Sequence, residues 1–268
     1  MADVAPPVLV TEFDGGVRLT LNRPGRRNAV DEAMLDLLDQ AFRAAATDPA
    51  VRVVTITGAG AAFCAGADLH HAMQAGPEGI AAFVDRAGRV YNAIRNFPKP
   101  VVAALNGLTI AGGLELALAC DIIVAVDGVM IGDGHANFGM FPGAGGAALL
   151  PTRIGYHAAM HLLCTGALVP AARMMELGLI QQIATAADFP ELLARIEHDV
   201  ASKSATALAA IKRLARHASC AGDEAMLDAE YEAFAAHLDS DDFAEGLQAF
   251  AEKRAPRFNA AANRRVAR

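Results

Sequence analysis

Four things are missing from this sequence, and each absence removes a class of function. The first is a basic stripe. Its 268 residues carry 23 Lys and Arg against 30 Asp and Glu, a formal charge of −7 at pH 7. Displacing the counterions of a phosphate backbone needs clustered cations, so no nucleic-acid partner is expected. A few local Lys or Arg still suffice for a small anionic ligand. The second is a cysteine rhythm. Cys64, Cys120, Cys164 and Cys220 stand far apart, with no CxxC pair and no metal-ligand spacing. They read as buried free thiols in a reducing compartment, and no metal is implied. The third is a membrane span or address. The longest apolar run, residues 114–130, is interrupted by Glu115, Asp121 and Asp127 and is too short to cross a bilayer. The start, MADVAPPVLV, shows neither the basic n-region of a signal peptide nor an Arg-rich transit bias. A soluble cytoplasmic protein with no membrane partner is the expectation. The fourth is a nucleotide loop. No GxxxxGK[ST] and no GxGxxG opens a helix after the first strand, which argues against P-loop and dinucleotide sites.

What is present is enough chain for a large core. Residues 8–13 and 17–22 read as strands around the hairpin signal Asp14-Gly15-Gly16. An arginine-bearing loop, NRPGRRNAV, follows. Asp31 can cap a helix over 31–48 whose apolar face includes Met34, Leu37, Leu38, Ala41 and Phe42. Residues 51–58 predict a strand, 59–74 a glycine-rich loop running into a helix, and 79–97 another helix. Strand-strand-helix units recur through this half. After Gly146 the pattern turns helical, over 147–166, 170–183, 190–218, 223–240 and 241–258. An α/β core with a helical C-terminal part is predicted, and apolar helix faces left over there invite a neighbouring subunit.

The chain is organised around residues 100–146. VVAAL is a short β-branched run after Pro100 and predicts a buried strand; LELALACDIIVAV predicts a helix passing into a strand near Ile122. Gly112 and Gly113 stand where that helix begins, where backbone N–H groups lack intrahelical partners and the dipole is positive. Glu115 falls on the same face as Gly112, three residues on. A second small-residue turn, Cys64-Ala65-Gly66-Ala67-Asp68, follows the 51–58 strand. Two such turns from neighbouring strands would aim two amides at one point, the geometry of an oxyanion hole. Either turn alone could equally serve close helix–strand packing.

LNRPGRRNAV, AFCAGADL, LNGLTIAGGLELALACDIIVA, FPGAGGAALLPTRIG, LLCTGALVPAARMMELGLI and EGLQAFAEKR together resemble the crotonase, or enoyl-CoA hydratase/isomerase, family. The resemblance implies an α/β fold, a spiral of ββα units over residues 1–200, and a helical C-terminal oligomerisation region over 201–268. It implies homotrimers or homohexamers and an acyl-CoA thioester substrate, with coenzyme A part of the substrate and no separate cofactor. By the same resemblance, Ala67 and Gly112 supply the oxyanion-hole amides. Arg26, Arg27, Ala65 and Asp68 fall in segments that meet the CoA moiety. Phe250 and Lys253 match positions that reach the CoA of an adjacent subunit.

Hydratases of the family use two glutamates. Glu115 matches the first; twenty residues on, the second position is His135, in Gly132-Asp133-Gly134-His135. A histidine also moves protons near neutrality. Asp133 could orient its ring or face solvent. Enoyl-CoA hydration with a Glu115/His135 pair is the leading expectation. The alternatives are isomerisation, decarboxylation, thioester hydrolysis, β-diketone C–C cleavage, and a catalytically weak CoA-binding protein. Ala144 replaces the aspartate of the β-diketone branch, and Gly143 the aspartate expected for dienoyl isomerisation. His70 and His71 could start a helix lining the acyl pocket.

Overall fold

The computed structural model describes residues 5–68, 76–217, 240–252 and 254–258. β1 (Val8–Phe13) and β2 (Gly16–Leu21) form the expected antiparallel hairpin. At its turn Gly15 takes φ +83°, and a side chain there would strike Arg52 and Ala201. α1 (Glu32–Thr47) starts where Asp31 accepts the Met34 N–H at 2.9 Å, and it buries Met34, Leu35, Leu38, Phe42 and Ala45.

From there one unit repeats. A strand enters a large sheet, a short strand enters a second sheet, and a helix follows. The first unit is β3 (Val53–Gly58), β4 (Ala62–Cys64) and α2 (Gly76–Arg95). The second is β5 (Val101–Leu105), β6 (Leu108–Ile110) and α3 (Gly112–Leu118). The third is β7 (Ile122–Val126), β8 (Met130–Gly132), a 3-10 turn (His135–Phe138) and α4 (Gly146–Ile154). Then come α5 (Tyr156–Thr165), β9 (Leu168–Pro170), α6 (Ala171–Glu176), β10 (Gln182–Ala184), α7 (Phe189–Ala201), α8 (Ala205–His217) and α9 (Asp241–Glu252). The large sheet runs β1-β2-β3-β5-β7-β10 and the small one β4-β6-β8-β9. This is the expected ββα spiral with helices after it.

The large sheet is parallel from β2 onward. Both its faces are covered, which is why its strands read as continuous apolar runs. Val101, Ala103 and Leu105 join one hydrophobic cluster with α1 and α2; Val102 and Ala104 join another with Phe189, Leu192 and Ile196 of α7. Arg18 grips Glu197 with two hydrogen bonds, at 3.1 and 2.6 Å, tying β2 to α7. Asp121 holds Lys212 at 2.6 Å and Arg216 at 3.0 Å, docking α8 on the β5–β7 end.

Several expectations change. The helix expected over 147–166 is two, broken at Gly155 where φ is +81°. The helical pattern over 170–183 ends in β10, which completes the large sheet. Within 59–74 lies β4, and the strands of the small sheet are too short for a period of two to show. Cys64 and Cys120 are buried as expected, but Cys164 is exposed, because it lies on the outer side of α5, away from the buried Ala159 and Leu162. Cys220 and nearly all of 223–240 lie outside the described residues. Among the described residues no helix is long and apolar enough to cross a membrane, and no cluster could hold a metal ion.

Candidate active site

β4 and β6 are parallel neighbours in the small sheet, and each runs straight into a turn. The turn after β4 is stitched to residues 27–30. Ala65 N–H donates to Arg27 O at 3.0 Å, Val30 N–H to Gly66 O at 2.8 Å, and Asp68 N–H to Val30 O at 2.7 Å. The Ala67 N–H between them donates to none of the described residues. After β6, Ala111 adopts φ 51°, ψ −122°, a conformation costly for a residue with a Cβ. That strained turn starts α3 at Gly112, whose N–H is unclaimed by the helix. A Cβ built on Gly112 would sit 3.5 Å from the Ala67 nitrogen. The two amides therefore flank one space. Gly113 has no room for a side chain, since a Cβ there would lie 2.2 Å from Cys64 O.

That space opens into a cavity of about 380 Å³ lined by Ala65, Ala67, Gly112, Glu115, Asp133 and His135, among others. Glu115, in the first turn of α3, is 3% exposed. Its Oε1 accepts the N–H groups of Ala144 at 2.8 Å and Gly146 at 2.9 Å. Its Oε2 makes no hydrogen bond among the described residues. Asp133 does not face solvent: it is 1% exposed, and its Oδ1 accepts the His135 N–H at 3.1 Å and meets ring Nδ1 at 3.0 Å. The Asp133 hydrogen bond holds the His135 pKa above its ordinary value. Burial opposes this, and the charges of Asp133 and Glu115 add to it. Burial also pushes the Tyr91 phenol well up, with Cys64 and Glu115 contributing. Two amides, a carboxylate and an imidazole thus share one cavity, equipment for building charge on an oxygen while moving a proton.

A model of the enoyl-CoA hydratase/isomerase family matches residues 12–261. The 2,3-dehydroadipyl-CoA hydratase of Escherichia coli is 34% identical over 240 residues, covering 90% of this chain and 93% of that protein. This chain belongs to the enoyl-CoA hydratase/isomerase family. An enoyl-CoA hydratase from Bacillus anthracis superposes with a TM-score of 0.92 at 31% identity, over 94% of this chain and 99% of that one. DspI of Pseudomonas aeruginosa superposes at 0.90 and 30% identity, over 94% and 96%.

In this hydratase/isomerase member the four residues expected to act on the thioester, Ala67, Gly112, Glu115 and His135, all line the cavity, as does Ala65. Arg26 and Arg27 are exposed on the 3-10 turn Pro24–Arg26 and just after it, beside Ala65 but outside the cavity. The Asp68 carboxylate receives Arg23 Nη2 at 2.8 Å and does not line the cavity. Phe250 falls in α9; Lys253, His70 and His71 lie outside the described residues. Sequence reasoning passed over the wall residues Phe83, Ala87 and Tyr91. Their spacing of four residues on α2 was the available signal. It also passed over Arg23, whose guanidinium binds Ala29 O at 2.5 Å as well as Asp68, joining the Ala67 turn to the 27–30 segment.

Proposed function

We propose that this chain adds water across the double bond of a 2-enoyl-CoA, as a hydro-lyase. The observation that carries the reading is the meeting of Glu115 and His135 in the cavity flanked by the Ala67 and Gly112 amides. The thioester oxygen would accept both N–H groups. Glu115 would take a proton from water as the water oxygen bonds to Cβ, and the π electrons would move to the thioester oxygen as an enolate. His135 would then give a proton to Cα, and the proton on Glu115 would return to the imidazole. A pair of glutamates needs one proton between them for this chemistry; an ionised Glu115 beside a protonated His135 holds that same one proton. The elevated His135 pKa supports that state near neutrality.

CoA itself we assign to Arg26, Arg27, Ala65 and Asp68, with Phe250 and Lys253 reaching it from an adjacent subunit of a homotrimer or homohexamer in the cytoplasm. Within the described lining of the cavity, Ile80, Phe83, Val84 and Leu168 form apolar wall and no Lys or Arg is present, so we assign an uncharged acyl group. A second reading draws on the Asp133–His135 hydrogen bond: a carboxylate-backed imidazole can also activate water against the thioester carbon. The test is the enoyl absorbance of crotonyl-CoA on adding protein. Its loss, with 3-hydroxybutyryl-CoA as product, supports hydration. Release of free CoA thiol instead supports hydrolysis. Binding of a panel of enoyl-CoA esters without turnover of any would overturn both.

A further inference from the structure

The Asp133 carboxylate is used unevenly. Oδ1 accepts both the backbone N–H and ring Nδ1 of His135. Oδ2 is sealed from solvent and has no hydrogen-bond partner among the described residues. A Cβ on Gly146 would lie 3.0 Å from this Oδ2 and 3.3 Å from Glu115 Oε1, so the two carboxylates crowd one glycine. An ionised carboxylate with one oxygen shut away unpaired is costly to bury, and the compensation within reach is positive charge. The described lining of the cavity holds no Lys or Arg. The imidazole at 3.0 Å is the group that can supply the charge.

The turn that carries the ring is also held. His135 O accepts the Met140 N–H at 3.1 Å, and Asn137 Nδ2 ties the same turn to Gly166 O at 3.0 Å. A carboxylate oxygen only accepts, so Nδ1 carries hydrogen and Nε2 is the ring nitrogen left to work in the cavity. Among the described residues, the ionisable groups lining the cavity with His135 are Asp133 from its own loop, Glu115 from α3 and Tyr91 from α2.

The geometry points to Asp133 as the positioning residue of this site: it fixes His135 with Nδ1 toward itself and keeps the ring protonated, so that Nε2–H is the proton donor. The catalytic consequence rests on the hydration reading; the state of the ring does not. The test has two readouts on the full chain. In protein labelled with 15N-histidine, the His135 signal is identified by its loss in His135→Gln. It should titrate above the ordinary histidine value of about 6.5, with Nδ1 protonated on both sides of the midpoint. In Asp133→Asn it should titrate at lower pH. In crotonyl-CoA turnover Asp133→Asn should lower kcat by about tenfold or more, with KM nearly unchanged, and move the alkaline limb of the pH profile down in parallel. A wild-type ring that is neutral at pH 6.5, or an Asp133→Asn protein with the same titration, overturns the proposal. So does a kcat loss with an unmoved alkaline limb, the mark of a merely structural role. The wild-type titration needs no variant to fold. If the ring behaves as stated but no enoyl-CoA is hydrated, the hydration reading fails and this one stands.

Discussion

Gly146 donates its backbone N–H to Oε1 of Glu115 at 2.9 Å. With Ala144 on the same oxygen, this fixes the carboxylate and leaves Oε2 without a hydrogen-bond partner among the described residues. Glu115→Gln preserves shape and packing but removes the proposed base. Turnover should fall by about 100- to 10,000-fold, while CoA-thioester affinity measured by calorimetry changes little. Retention of turnover would remove Glu115 from the mechanism.

Neighbouring glycines in α3 should separate catalysis from folding. At Gly112 a methyl makes ordinary contacts, 3.5 Å from the Ala67 nitrogen, but occupies the space between the two amides. Gly112→Ala should keep its melting temperature and lose up to about 2.7–4 kcal/mol of transition-state stabilisation in kcat/KM. At Gly113 a methyl meets Cys64 O at 2.2 Å. Gly113→Ala should be destabilised by about 1–3 kcal/mol or more in urea unfolding, as over-packed cores are. Equal effects at both positions would contradict this view of the turn.

Arg23 and Asp68 lie 2.8 Å apart, both side chains mostly buried. The pair braces the residue after Ala67. If Asp68 serves through Arg23, the two substitutions to Ala should not add: a double-mutant cycle on kcat/KM should show coupling of about 0.5–3 kcal/mol. Additive losses, with Asp68→Ala raising KM alone, would instead favour direct contact between Asp68 and CoA.

Much of this was legible in the sequence, for physical reasons. Where both faces of a strand are buried, as at Val101–Leu105, the apolar run announces it. The Asp31 cap and the spacing of Gly112 and Glu115 are local signals, readable without tertiary knowledge. The sequence pattern alone makes β3 and β5 the neighbouring strands that feed the two turns. In fact β4 and β6 deliver them, and three residues are too few to show a period. Asp133 was ambiguous because its burial depends on α4 arriving with Gly146 against it, a contact made from thirteen residues away. The strain at Ala111 has no sequence signature, since glycine would be the residue expected at φ 51°.

Stability should depend on pH through His135. Its pKa is raised in the fold, chiefly by Asp133, so the folded state binds the proton more tightly than the unfolded chain. The resulting stabilisation is complete below the unfolded value of about 6.5 and is lost as pH rises through the folded value. The melting-temperature gap between wild type and His135→Gln should therefore be wider at pH 6 than at pH 9. A gap of the same size at both would mean the pair contributes packing and no linked proton.

The proposed hydration of an uncharged enoyl-CoA carries an expectation for acyl specificity. The cavity's described lining carries the carboxylates of Glu115 and Asp133 but no Lys or Arg, and Ile80, Phe83, Val84, Ala87 and Leu168 form apolar wall. A second carboxylate on the substrate would lose hydration against that wall and meet like charge from Glu115 and Asp133. An apolar enoyl chain loses nothing comparable and gains about 0.8 kcal/mol per buried methylene. Hexenoyl-CoA should thus show a higher kcat/KM than crotonyl-CoA, and an enoyl-CoA of the same length ending in a carboxylate a much lower one. Replacing Val84 by Lys, on the α2 wall, should narrow that difference by offering the acid a counter-charge. A wild-type preference for the acid would place a cation in the acyl path and overturn the assignment of an uncharged substrate.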